Sequence, residues 1–109
     1  MNWIPLRSQE QLEEIIALSS NQPQVIFKHS TRCNISSVAK NRLERATSPG
    51  EAAFYYLDLI SYRPLSNFVA DRFAVEHESP QILVIKNGKC VYNESHMGID
   101  MEEIKDQIN

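Results

Sequence analysis

Residues 24–36 of the chain read QVIFKHSTRCNIS, and this stretch decides the fold. The short apolar run Val25–Phe27 predicts a strand that is buried on both faces of a sheet. A polar turn at residues 30–32 follows it, and beyond Cys33 the apolar residues recur at helical spacing. The sequence therefore predicts a buried strand that leads through a short turn into a helix headed by a cysteine.

Outward from this stretch, strand and helix patterns alternate along the chain. Toward the N terminus, residues 3–6 read as a short strand, and Ser8 has the capping-box pattern that starts a helix. Toward the C terminus, the predicted elements are a strand at 53–59, a helix starting near Pro64, a strand at 81–86, a returning strand at 89–93 and a helix after Asp100.

The helix that follows Cys33 has two kinds of side chain at regular spacing. The helical period predicts that its apolar members face the core, and these are Ile35, Val38, Ala39 and Leu43. Its basic members are Lys40, Arg42 and Arg45, and we interpret them as a solvated face. A phosphate-binding surface needs a more concentrated basic patch than this.

The order β-α-β-α-β-α-β-β-α predicts an α/β protein with a mostly parallel sheet and helices on both faces. Asn87-Gly88 is a strong hairpin signal, so the sheet is expected to be mixed, with a C-terminal antiparallel β-hairpin. The 109 residues fit one domain over 1–109, which is long enough to fold without disulfide bonds.

Composition restricts the classes of partner. The net charge of −3 gives no reason to expect nucleic acid, and no run approaches the roughly 20 apolar residues of a membrane span. The N-terminal residues do not resemble a signal peptide, and two widely separated cysteines do not form a disulfide framework. We therefore expect a cytoplasmic protein with neither nucleic acid nor membrane as a partner.

Cys33 is the candidate nucleophile. The first N–H groups of a helix lack backbone partners, and the helix dipole is positive there, so a thiolate at this position is stabilised. Ser36 is expected to lie one turn further on, where its hydroxyl could donate to the sulfur. Ser36 replaces the second cysteine of a C-x-x-C motif, so the sequence predicts a one-thiol route with release by an external thiol.

An isolated cysteine is more often a buried, inert residue, but the position of Cys33 between a strand and a helix favours reactivity. Cys90 lies just beyond the hairpin turn, and we interpret it as structural because a strand of roughly 23 Å separates it from Pro80. His29 is expected to be an ordinary strand-end histidine. The histidines and cysteines do not have metal-ligand spacing, so no metal site is predicted.

Two stretches resemble a known fold and family. The cysteine-headed helix and residues 78–89, ESPQILVIKNGK, resemble the thioredoxin fold, which implies a three-layer structure with a cis Ser79–Pro80 bond beside the active cysteine. Residues 27–36 resemble the monothiol bacilliredoxin family, which has a Thr-Cys-Pro-Ile-Ser-like motif. The chain differs from that motif at Arg32, which precedes the cysteine, and at Asn34, which replaces the proline.

The resemblance implies a monothiol disulfide reductase that removes a low-molecular-weight thiol, bacillithiol or similar, from S-thiolated proteins. That thiol is the co-substrate, and no tightly bound cofactor is expected. The expected catalytic residues are Cys33 and Ser36. The expected substrate-binding residues are Thr31, Arg32, Asn34, Ser79 and Pro80.

Two other functions remain open from the sequence. One is an iron–sulfur-binding module like the monothiol glutaredoxins, but those proteins have glycine and phenylalanine after the cysteine, where this chain has Asn34 and Ile35. The other is a redox-silent adaptor of the thioredoxin fold that acts in a stress response. An absorbance spectrum would detect a cluster, and ordinary thiol reactivity at Cys33 would favour the adaptor.

Overall fold

The computed structural model describes residues 1–108, and its elements follow the predicted order. These elements are β1 (Ile4–Pro5), α1 (Gln9–Leu18), β2 (Gln24–His29), α2 (Asn34–Arg45), β3 (Ala53–Asp58), α3 (Arg63–Phe73), β4 (Gln81–Lys86), β5 (Lys89–Ser95) and α4 (Met101–Ile108). A short 3₁₀ helix at His96–Gly98, which the sequence patterns did not indicate, joins β5 to α4. Asn109, the last residue of the predicted domain, lies outside the described residues.

The five strands form one mixed sheet in the order β1-β3-β2-β4-β5. Strands β1, β3 and β2 are parallel, whereas β4 is antiparallel to β2 and β5 is antiparallel to β4. The expectation of a mostly parallel sheet is therefore wrong, and the sheet is divided evenly between the two kinds of pairing. Because Lys28 pairs with Gln81, the end of β2 and the start of β4 lie at the same edge of the sheet.

Helices cover both faces of the sheet, which gives the expected three layers. Helices α1 and α3 pack on one face, and α2 and α4 pack on the other. Within β2 the side chains alternate, with Ile26 in the first core and Val25 and Phe27 in the second. No helix within residues 1–108 is long and apolar enough to cross a membrane.

The buried side of α2 differs from the prediction. Ser36, Ala39 and Leu43 are buried, whereas Ile35 and Val38 are 45% and 46% exposed. The prediction that Ile35 and Val38 face the core is wrong, because the hydroxyl of Ser36 makes buried hydrogen bonds at the end of β2 and turns that side of the helix toward the sheet. At 100° per residue, Ile35 and Val38 then lie toward solvent.

The hairpin between β4 and β5 forms at the predicted turn. Asn87 and Gly88 have φ angles of 53° and 77°, the left-handed values that a two-residue type I′ turn requires. Both N–H groups donate to Ser19 at the end of α1, at 2.9 Å to its carbonyl and 2.8 Å to its hydroxyl. The turn is thereby attached to the end of the sheet opposite the start of α2.

Candidate active site

Cys33 is the N-cap residue of α2. Its backbone is extended, with φ −111° and ψ 121°, its N–H donates to the Ser30 carbonyl at 3.2 Å, and its own carbonyl accepts the Ser37 N–H at 3.1 Å. The residue is half-buried, and its sulfur does not cap the helix by a hydrogen bond. The prediction that Cys33 lies at a helix N-terminus is confirmed, and the residue is not buried in the core.

Ser36 has partners other than the sulfur. It is fully buried, and its hydroxyl lies 2.6 Å from His29 Nδ1 and accepts the Ser30 N–H at 3.0 Å. The expected hydrogen bond from this hydroxyl to Cys33 does not form within the described residues. Because the hydroxyl joins the end of β2 to the first turn of α2, Ser36 holds the turn that presents Cys33.

His29 is part of a buried aromatic group, not a simple strand-end residue. Its ring lies 5.8 Å from that of Phe27 and 5.5 Å from that of Tyr56, measured between centroids. Burial lowers the pKa of His29, and the nearby positive charge of Lys40 lowers it further. His29 is therefore uncharged at neutral pH, and its contact with Ser36 does not require a buried charge.

Ser79 and Pro80 lie at the edge of the sheet where β2 ends. The Ser79–Pro80 bond is cis, as predicted, and the Pro80 carbonyl accepts the His96 N–H at 2.9 Å. The Ser79 hydroxyl is buried and has no hydrogen-bond partner among the described residues. The Ser79 backbone also makes no hydrogen bond to the rest of the described backbone. The backbone of Ser79 is therefore not used in the hydrogen bonding of the described fold.

The remaining predicted binding residues surround the cysteine in sequence. Thr31, Arg32 and Asn34 are all exposed, and their side chains make no hydrogen bonds within residues 1–108. The turn therefore places these three side chains in solvent around the thiol. Their polar groups are therefore not used within the described fold.

Lys28 is a buried charged residue that the sequence analysis did not single out. It is fully buried on the α3 side of β2, and its ammonium donates to the Ser66 carbonyl and to His77 Nδ1, at 3.1 Å each. Burial lowers the pKa of Lys28 to about 8. The available signal was a lysine inside a strand predicted to be buried on both faces. Through His77, Lys28 attaches the loop before Ser79 to the centre of the sheet.

Cys90 is remote from Cys33. It pairs with Ile85, and Ile85 in turn pairs with Gln24 at the start of β2, whereas Cys33 follows the end of that strand. Cys90 therefore lies level with the start of β2, and Cys33 lies beyond its end. The five residues of strand between these positions span roughly 17 Å. The Cys90 thiol donates to the Tyr92 carbonyl at 3.3 Å, and burial raises the pKa of Cys90. A cysteine of this kind is structural, as the sequence suggested.

Oxidation should not join the two cysteines within one chain. A disulfide requires Cα atoms within about 7 Å, far less than the separation along β2. Both cysteines are free in the structure. We expect non-reducing peptide mapping after mild oxidation to recover Cys33 and Cys90 in separate peptides. A Cys33–Cys90 peptide from monomeric protein would contradict this geometry and imply a two-thiol mechanism.

Replacing Ser36 should loosen the turn before α2. In Ser36→Ala the buried Ser30 N–H and His29 Nδ1 lose their shared partner, which should cost about 1–3 kcal/mol of unfolding free energy. The neighbouring Ser37→Ala variant is the matched control, because the Ser37 side chain makes no hydrogen bond within residues 1–108. Urea unfolding of the two variants measures the difference, and equal stabilities would show that the Ser36 contacts contribute nothing.

The chain is similar to solved structures of redox proteins. One, described as a candidate oxidoreductase with a thioredoxin fold, is 32% identical with a TM-score of 0.79, over 94% of this chain and 90% of that chain. Thioredoxin from Trypanosoma brucei brucei, at 15% identity, has a TM-score of 0.79 over 98% and 91% of the two chains. Thioredoxin from Fasciola hepatica, at 20% identity, has a TM-score of 0.72 over 95% of this chain and 94% of that chain. With a reachable thiol heading α2, this protein is a thiol oxidoreductase of the thioredoxin fold.

The sequence comparison identifies the family. Residues 4–104 match the family described as monothiol bacilliredoxin BrxC. The match covers more than nine-tenths of the chain, so this protein belongs to the monothiol bacilliredoxin family. The predicted fold and the predicted family are both confirmed.

Proposed function

We propose that this protein is a monothiol reductase that removes a low-molecular-weight thiol, bacillithiol or a similar compound, from S-thiolated proteins. The observation that supports this best is the isolation of one reachable thiol. Cys33 is half-buried at the start of α2, the fourth position of its motif is the buried Ser36, and Cys90 lies at the other end of the sheet. Such a site has no internal thiol to resolve a mixed disulfide.

The reaction proceeds by two exchanges. The Cys33 thiolate attacks the sulfur that the small thiol contributes to the target's mixed disulfide. A new S–S bond forms on Cys33, the original S–S bond breaks, and the target cysteine leaves as a thiolate that takes a proton from water. A second molecule of the small thiol, as thiolate, attacks the adduct. This attack breaks the S–S bond to Cys33 and regenerates the Cys33 thiolate. The two small thiols leave joined as a disulfide, which carries away the oxidation that the target has lost.

The surrounding residues have distinct parts in this scheme. Cys33 lies at the N-terminus of α2, where the first N–H groups of the helix have no backbone partners. Ser36 holds the turn in place through His29 and the Ser30 N–H. The unpaired backbone of Ser79 is suited to bind an extended target segment, in the way that an edge strand binds a peptide.

The exposed residues on either side of the sulfur are suited to contact the small thiol. Thr31 and Asn34 can hydrogen-bond to it, and Arg32 can bind its carboxylates if it has any. This chemistry needs no tightly bound cofactor. We also propose a cytoplasmic location, because Cys33 must remain reduced between turnovers.

The proposal can be tested with one target protein in several S-thiolated forms. The target's single cysteine is joined in separate samples to bacillithiol, glutathione or free cysteine. Loss of each adduct is followed by intact-mass spectrometry with the matching free thiol present. We expect this protein to accelerate removal of at least one adduct well above the rate with free thiol alone. No acceleration of any of the three would overturn the proposed function.

A further inference from the structure

The side of α2 that faces away from the sheet is apolar where it is nearest the nucleophile. Ile35 and Val38, two and five residues after Cys33, are each nearly half exposed. Met97, in the 3₁₀ helix, is 62% exposed, and its carbonyl accepts from Arg42 Nη1 of α2 at 3.3 Å. Together these three apolar side chains and Arg42 form a surface beside the active site, which we call the α2 face.

The segment that contains the α2 face has a charge opposite to that of the whole chain. Residues 32–45 include four basic side chains and one acidic, a net +3, in a chain of net −3, so the remaining residues have −6. The acidic side chain is Glu44, which already binds Lys40 and the Trp3 indole N–H, at 2.8 Å each. The three arginines of this segment make no salt bridge within residues 1–108, and they are Arg32, Arg42 and Arg45.

Acidic side chains also lie near this surface, but one of them is already paired. The loop before Ser79 contains Glu76 and Glu78, and Glu78 pairs with His96, the neighbour of Met97, at 3.0 Å. The arginines of α2 have no such acidic partner within residues 1–108, so their positive charge is available to an approaching chain. An approaching chain is attracted in one orientation, with its acidic groups over α2.

We propose that the α2 face docks the protein target, and that the preferred targets have apolar and acidic side chains next to the S-thiolated cysteine. This inference rests on the proposed function and specifies its substrate class. Apolar residues of the target cover Ile35, Val38 and Met97, and acidic residues pair with Arg42 and Arg32. The apolar contacts provide affinity, and the unpaired arginines provide selectivity and faster association.

Two peptides test the proposal directly. Each contains one cysteine as a mixed disulfide and one leucine beside it, flanked by two glutamates in one peptide and by two lysines in the other. The small thiol is the same in both peptides, and it is the one of bacillithiol, glutathione and cysteine that the protein removes fastest from the target protein. The rate constant for transfer of this thiol to Cys33 is measured at low salt. Exposed ion pairs are weak individually, so we expect wild-type protein to react about three- to tenfold faster with the acidic peptide.

Two charge-reversal variants locate the effect. Arg42→Glu should abolish or invert the preference for the acidic peptide. Arg72→Glu makes the same change in net charge at an exposed arginine in α3, on the opposite face of the sheet, and should leave the preference intact. Ile35→Ser should lower the rate constant for transfer to Cys33 by the same factor with both peptides. In about 1 M salt the Debye length is only about 3 Å, and the wild-type preference should disappear.

The possible failures are distinguishable. Equal rates for the two peptides with wild-type protein would overturn the docking proposal while leaving the proposed exchange intact. An equal loss of preference in Arg42→Glu and Arg72→Glu would also overturn it, because overall charge would then be the cause. If neither peptide transfers its small thiol to Cys33, and none of the three protein adducts is removed faster than by free thiol, the proposed function itself fails.

Discussion

Cys33→Ser is expected to reduce thiol removal from S-thiolated proteins to the uncatalysed rate, whereas Cys90→Ser is expected to retain wild-type activity. A hydroxyl replaces the only reachable thiolate in the first variant, and disulfide exchange requires a thiolate. In the second variant the lost thiol is half-buried, donates to a backbone carbonyl and lies at the other end of the sheet. The measurement is the steady-state rate of thiol removal from one S-thiolated protein by each of the two variants.

Thermal unfolding of the two variants shows whether a loss of activity comes from a lost thiol or from a loss of folded protein. Cys33 is outside both hydrophobic cores and its sulfur caps no backbone group, so exchanging sulfur for oxygen there should leave thermal unfolding close to that of wild-type protein. Cys90 is packed against the α1 and α3 core, so its replacement is the more disruptive of the two for stability. An inactive Cys90→Ser protein that is fully folded would show that a second thiol takes part in the reaction.

Lys28 should contribute a rise in the free energy of unfolding as the pH increases above 8. In the unfolded chain Lys28 holds its proton up to the ordinary pKa of 10.5, whereas burial lowers the folded-state pKa to about 8. Between these values the unfolded state binds more protons, so the unfolding free energy rises with pH. Across the whole window, the contribution of Lys28 reaches about 3 kcal/mol.

Lys28→Met isolates this contribution. The variant keeps an unbranched side chain of similar length without the charge, so it should lack the rise between pH 8 and 10.5 and be more stable than wild-type protein at pH 7. Groups with raised pKa values, Cys90 and Tyr55 among them, oppose the rise in both proteins and cancel in the difference.

The measurement is urea unfolding of both proteins at intervals from pH 7 to 10. Lys89→Met, which removes an exposed lysine beside the hairpin turn, is the control and should keep the wild-type slope. Parallel curves for wild-type protein and Lys28→Met would mean that Lys28 is not destabilising when charged. The Ser66 and His77 contacts would then fully offset its burial.

The features that local patterns determine were predictable from the sequence. The apolar run Val25–Phe27, followed by helical spacing after Cys33, located β2 and α2, and Asn87-Gly88 located the hairpin. Each of these signals lies within a few residues of what it specifies. The antiparallel pairing of β4 with β2 depends on how the chain crosses the sheet, which no local pattern states.

The contacts that organise the site could not be predicted in the same way. Lys28 binds residues 38 and 49 positions away, so nothing next to it in sequence indicates its partners. Helical spacing placed Ile35 and Val38 on an apolar stripe, but a period does not say which side of a helix meets the sheet. That side is fixed by Ser36, a polar residue whose buried hydrogen bonds take precedence over apolar spacing.

The most direct test of the one-thiol reaction is the mass of the adduct on Cys33 after a single turnover. Reduced protein is mixed with an equal amount of an S-thiolated target without free thiol, quenched with acid and analysed by intact-mass and peptide mass spectrometry. The expected result is Cys33 bearing the small thiol while the target appears with a free cysteine. A disulfide joining Cys33 to the target protein, or an adduct on Cys90, would contradict the proposed mechanism.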